Sequence, residues 1–310
     1  MRKKIAVIMA LATLSISVAA CGSSSESSDS GSTAEEETVS DTESSEAAEE
    51  GDSGETASEI TFEGLTVVDN EECSIKITEI DPDDLWGYTL KAEFENKSSD
   101  KTYMFAVENA SVNGVSSDPF FASEVAAEKK SNEEISFSDS GLEENGIDDF
   151  TDIELTFRVY DSDDWEAEDV AYETVHVYPY GEENATTYVR ESQETDNILV
   201  DNDYVTVIVT GYEEDDLWGY TVNMYLVNKT DSTVMFGVDE ASVNGYMADP
   251  FYAESVPAGK SAFSSMYWDD SDLEENGITT VEEIEFELRA YDEDDWEADD
   301  YVNEVVTLNP

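Results

Sequence analysis

The heptapeptide DDLWGYT occurs at Asp83–Thr89 and again at Asp215–Thr221. Seven such unlike residues do not recur by accident, so the chain carries an internal duplication. Setting Trp86 beside Trp218 aligns FENKS with LVNKT, and a one-residue gap between Ser98 and Thr102 keeps the rest in step. ASVNG at Ala110 then meets ASVNG at Ala241, DPFFASEV meets DPFYAESV, LEENGI recurs at Leu142 and Leu273, and DDWEA recurs at Asp163 and Asp294. A chain of 310 residues has room for two domains of roughly 100 to 200 residues each. The copies fall at 60–180 and 195–310.

The copies are each other's comparison, and what both retain is alternation. Tyr88, Leu90, Ala92 and Phe94 alternate with polar residues, as do Tyr220, Val222, Met224 and Leu226. Ile153, Leu155, Phe157 and Val159 repeat the pattern against Ile284, Phe286, Leu288 and Ala290. A period of two is that of a half-buried strand. About seven such segments per copy, separated by Asn, Gly, Asp and Pro and with no helix of ten or more residues between them, predict an all-β fold. Asn113-Gly114 and Asn244-Gly245 predict type I′ hairpin turns, because both residues tolerate positive φ. Cys73 aligns with Val205 and reads as a small core hydrophobe.

Through NKS, SVNG and the DPFF to EV stretch the chain resembles immunoglobulin-like domains, mostly of unknown function, carried by lipoproteins of Gram-positive bacteria. The resemblance implies two tandem immunoglobulin-like antiparallel β-sandwiches and brings no catalytic motif with it. The antibody pattern of paired cysteines around a buried Trp is missing, so the sandwich architecture is all that is implied.

The N-terminal residues, MRKKIAVIMALATLSISVAAC, put three basic residues before an apolar run from Ile5 to Ala20 and small residues before Cys21. The run is shorter than the roughly 20 apolar residues of a spanning helix, so residues 1–20 read as an export signal. VAAC resembles the lipobox of bacterial lipoproteins, which implies lipid attachment at Cys21 and a place on the outer face of the cytoplasmic membrane. Two acyl chains anchor stably where one does not. Residues 21–58 then form a Ser- and Glu-rich tether without an aromatic residue, Lys or Arg after Cys21, a composition too polar to offset its ordering entropy. As a flexible coil it spans roughly 30 to 35 Å.

Asp and Glu number 77 against 14 Lys and Arg, a net charge of −63. Nucleic acid and anionic surfaces are therefore excluded as partners, and metal cations, basic proteins, envelope proteins or uncharged glycans remain. The same charge destabilises the compact state by self-repulsion, which salt relieves.

Two acidic and aromatic loops stand in both copies. The first holds Asp81, Asp83, Asp84 and Trp86, with Asp215, Asp216 and Trp218; the second holds Asp161, Asp163, Asp164 and Trp165, with Asp292, Asp294, Asp295 and Trp296. Carboxylates clustered on a turn can supply the six to eight oxygens that Ca²⁺ takes, although neither loop has the EF-hand order. No cofactor is otherwise implied. The four Trp residues can stack on sugars, while ordinary Trp burial would place them over the ends of the sandwiches. Whether the two loops share an end depends on whether VSSDPFFASEV contributes a strand. His176, alone of its kind and facing outward beside Val175 and Val177, reads as a surface strand residue, so nucleophilic catalysis lacks its usual base. A glycoside hydrolase using two of the shared acids is the enzymatic alternative. The leading reading is a non-enzymatic, lipid-anchored surface protein, with a calcium-dependent or carbohydrate-binding module as its alternative.

Overall fold

The computed structural model describes residues 59–215, 219–295 and 297–310. The predicted signal, the tether and Cys21 lie outside the described residues. The fold is all-β. In the first half, β1 (Leu65–Asp69), β2 (Cys73–Asp84) and β3 (Gly87–Asn96) form a meander. β4 (Tyr103–Val112) follows in a second sheet, flanked by the short β5 (Val115–Ser116) and β6 (Ala122–Val125). β7 (Lys129–Phe137) returns beside β3; after the one-turn helix α1 (Asp139–Glu143), β8 (Ile153–Asp161) and β9 (Ala171–Val177) complete the second sheet next to β4.

The second half repeats this order: β10 (Asn197–Asp201), β11 (Val205–Asp215), β12 (Gly219–Asn228), β13 (Val234–Val243), β14 (Tyr246–Met247), β15 (Ala253–Val256), β16 (Ser261–Trp268), α2 (Asp270–Glu275), β17 (Ile284–Asp292) and β18 (Val302–Leu308). Here too β16 pairs with β12, β15 with β13, and β17 with β13 and β18. The brief helices of five and six residues, in the LEENG stretches, are the elements that strand periodicity does not announce.

Alternation becomes burial. Leu90, Ala92 and Phe94 of β3 face Phe105 of β4 and Phe157 of β8, and the Phe94 ring lies 5.3 Å from Phe105 and 6.4 Å from Phe157. Rings from opposing sheets in contact make this a sandwich, and each such pair adds about 0.5–1.5 kcal/mol beyond its area. One buried cluster runs from Val68 to Val177 and another from Val200 to Leu308. Cys73 is fully buried, a free thiol pushed up to about 11 by desolvation. Trp268, outside the repeated loops, fills the second core and donates Nε1–H to the Ala248 carbonyl at 2.9 Å.

The shared polar motifs are clamps. Asn96 of FENKS is buried; its amide donates to the carbonyls of Lys101 and Val125, both at 2.8 Å, and its oxygen accepts from Ser98 N–H at 2.9 Å. Asn228 does the same with Ser232, Val256 and Thr230. The following Lys97 and Lys229 reach back to Asp69 and Asp201 at 2.6 and 2.7 Å. Asn113 and Gly114 take φ of 52° and 84°, and Asn244 and Gly245 take 50° and 80°, the angles a type I′ turn needs. The Asn113 side chain also donates to Asp149 O and accepts from Thr151 N–H, fixing the approach to β8.

The two sandwiches are joined. β5 and β16 run parallel through the pair Val115 and Ser261, which makes one nine-stranded sheet. Lys260 Nζ donates to Glu154 at 2.7 Å, and His176 lies on the same carboxylate at 3.2 Å and on Asp152 at 2.7 Å. The stretch Pro179–Asn197, polar enough in sequence to hinge, is strapped down: Tyr188 bonds Asn113 O and Asn145 O, and Arg190 grips Asp196 through two bonds of 2.8 and 2.7 Å. That pairing holds the Asp196 carboxyl below its ordinary value.

Removing a buried amide that serves three backbone groups leaves them unpaired away from water. Asn96→Ala or Asn228→Ala is expected to lower stability by about 2–4 kcal/mol in urea titration. A loss below about 1 kcal/mol would mean that water takes over the amide's bonds.

Candidate functional site

The two acidic loops sit at opposite ends of the sandwich. β6 runs antiparallel to β4 with Val125 opposite Tyr103, so the DPFF to EV stretch does contribute a strand. The first loop closes the β2–β3 turn at Asp84 and Gly87, whereas the second leaves β8 at Asp161, which pairs with Tyr103 at the far end of β4. The arrangement that would have gathered both loops into one site is not the one formed.

Within each loop the carboxylates hold turns. Asp84 accepts from Trp86 N–H at 3.0 Å, and Asp81 pairs with Lys91 at 3.0 Å. Asp161 accepts from Asp163 N–H and pairs with Lys101 at 3.1 Å, which holds its carboxyl low. Asp292 accepts from Ser232 Oγ and from the N–H groups of Asp294 and Asp295. Asp83, Asp163 and Asp164 are exposed at the surface. Among the described residues no group of three or more His, Cys, Asp or Glu is placed to hold a metal ion. Asp216, Trp218 and Trp296 lie outside the described residues, as does the side chain of Asp215.

Trp86 and Trp165 do not pack over the sandwich ends, where ordinary Trp burial would have put them. Both project into solvent, 72% and 67% exposed, and Leu85 beside Trp86 is 86% exposed. The turn explains the first: Gly87 has φ of 104°, so the chain reverses within the loop and leaves Leu85 and Trp86 at its tip.

A different feature recurs in both halves. A β-bulge at Thr78 in β2 and at Thr210 in β11 opens a depression on the adjoining strands. In the first half it measures 650 Å³ and is lined by Thr78, Lys91, Asn132, Glu133 and Glu134. Lys91 is satisfied there, its Nζ 3.0 Å from Asp81 and 3.4 Å from Glu79. In the second half the depression meets the end of the first sandwich and becomes a cleft of 880 Å³, bounded by Ser116, Ser117 and Asn145 on one side and by Glu213, Asn223 and Phe263 on the other. Asn223 stands where Lys91 stood; its amide donates to Glu213 at 2.9 Å, and its oxygen accepts from Ser265 Oγ at 2.8 Å.

The edge of each depression carries a Ser–Glu pair with its members exchanged. Ser123 of β6 donates to Glu133 of β7 at 2.9 Å, and Ser131 donates to the same carboxylate; in the second half Glu254 of β15 accepts from Ser264 of β16 at 3.1 Å. Burial without a cation raises the Glu254 carboxyl above its ordinary value and raises the neighbouring Tyr252 phenol as well. Sequence comparison of the halves aligns Ser123 with Glu254 and Glu133 with Ser264. Neither looks like a pair until the strands bring them together.

No protein-family model matches the chain, and no curated protein matches it. Among solved structures, a protein of unknown function from Porphyromonas gingivalis W83 is similar at 12% identity with a TM-score of 0.21, over 80% of this chain and 100% of that one. Red sea bream transglutaminase is similar at 12% identity with a TM-score of 0.22, over 78% of this chain and 31% of that one. Likeness of this degree carries no argument about fold or activity.

A carboxyl whose folded pKa is raised binds its proton more tightly in the fold, so stability is lost as pH rises from the ordinary value of 4.5 through the raised one. Glu254→Gln mimics the protonated form and keeps a partner for Ser264. Its melting midpoint is expected to match the parent in acid and to exceed it at neutral pH. A difference that does not change with pH would show that Glu254 titrates as it does in the unfolded chain.

Proposed function

We propose that this chain is a non-enzymatic surface protein, lipid-anchored through Cys21 on the outer face of a bacterial cytoplasmic membrane, that presents two immunoglobulin-like sandwiches for binding or envelope scaffolding. The observation that carries the binding part is the exposure of Leu85, Trp86 and Trp165 on short, hydrogen-bonded loops. Exposed aromatic side chains on rigid turns offer contact area at low ordering cost. The strapped joint between the halves supports a stiff presenting unit over two independently swinging ones. Among the described residues no helix is long and apolar enough to cross a membrane.

Expressed in a bacterium that processes lipoproteins, the full chain is expected to partition into the detergent phase on Triton X-114 extraction, and Cys21→Ser into the aqueous phase. A parent chain found in the aqueous phase removes the anchor. On an array of wall glycans and envelope proteins, Trp86→Ala and Trp165→Ala in the Cys21→Ser chain are expected to weaken binding at unchanged melting midpoint. Binding indifferent to both removes the loop tips as its source.

A further inference from the structure

The cleft between the sandwiches contains an interrupted strand edge. Ser261 N–H at the start of β16 donates to Gly114 O at 3.1 Å, and Tyr267 near its end exchanges two bonds with Phe251, of 2.8 and 3.3 Å. In an antiparallel strand alternate residues turn both backbone groups to the same side. Phe263 and Ser265 therefore point theirs to that edge, where among the described residues neither has a backbone partner. About 20 Å of strand lies between the two paired ends. The groups open into the 880 Å³ cleft.

The corresponding edge in the first half is protected in the usual way. β7 reads KKSNEEISF, with charges along an unpaired edge, which discourages strand addition. β16 reads SAFSSMYW and carries none. The cleft itself holds Glu144, Glu213 and Glu254 and no Lys or Arg. At the equivalent place in the first half a cation is already supplied: Lys91 lies on Asp81, the residue that aligns with Glu213. The second half keeps the acid, replaces the lysine with Asn223 and leaves room.

We propose that this cleft receives an extended, lysine- or arginine-bearing segment of a partner protein, which adds as a strand to the open edge of β16 and sets its cationic head at Glu213. The main-chain bonds to Phe263 and Ser265 supply affinity, and the carboxylates select the side chain. This deepens the binding reading above by naming a partner chemistry and a site that contains neither exposed Trp residue.

The probe is an end-capped peptide of sequence Thr-Val-Lys-Val-Thr-Val, titrated calorimetrically into the full chain beside two controls: the same peptide with norleucine for lysine, and the same peptide N-methylated at alternate residues. The lysine peptide is expected to bind, and each control to bind at least about tenfold more weakly. Glu213→Gln is expected to weaken the lysine peptide by a similar factor. Asn223→Lys, which restores the ion pair of the first half, is expected to close the cleft to the peptide at an unchanged or higher melting midpoint. No heat at millimolar lysine peptide, equal binding of either control, or undiminished binding to folded Asn223→Lys overturns the proposal. Trp86→Ala and Trp165→Ala leave the cleft intact and are expected to bind the lysine peptide as the parent does; array binding indifferent to both strikes the loop-tip reading alone, and loss of the peptide in either overturns the cleft.

Discussion

Each sandwich depends on a few asparagine side chains that act as backbone. Antiparallel sheets satisfy their own amides, but the connections that carry the chain from one sheet to the other run over a buried end, where unpaired N–H and C=O groups are expensive. Asn96 and Asn228 supply donors and an acceptor at that point, tying the β3 and β12 ends to the incoming β6 and β15 strands. Asn113 and Asn244 perform the same office at the opposite end, where the hairpin turn meets the approach to β8 and β17. Without these amides the two sheets would have cores to share but no fixed offset between them.

Much of the fold was legible because period-two alternation and burial express one geometry. Tyr88, Leu90, Ala92 and Phe94 read as a strand and lie in one, and Asn113-Gly114 read as a hairpin turn and has its angles. The NKS and SVNG motifs read as turn and packing residues; what could not be read is which distant carbonyls they serve, since Val125 and Asp149 lie 29 and 36 residues away. The two acidic loops were visible as repeats but not as opposites, because their relative position turns on β6, a strand of four residues. The exposure of Trp86 and Trp165 was likewise beyond residue preference, which speaks for burial. The cleft left almost no trace: it is made by a β-bulge, a lysine replaced by asparagine and the docking of one half on the other.

The halves have kept one architecture while exchanging its polar fittings. The carboxylate in the Ser–Glu pair has moved from β7 in one half to β15 in the other, yet the hydrogen bond survives. A bond conserved while its residues trade places indicates that the space between β6 and β7 tolerates one acid and one hydroxyl in either order. By contrast the Lys91 cluster has not been traded but dissolved, and the half lacking it holds the roomier cleft of the two, 880 against 650 Å³.

The parallel contact of Val115 with Ser261 has a mechanical consequence. Each sandwich resists stretching through long ladders that must shear together, while the joint between them rests on one strand pair, the Lys260 ion pair and the strap around Arg190. Under tension along the chain this narrow joint is therefore expected to open before either core, lengthening the molecule by release of the strap.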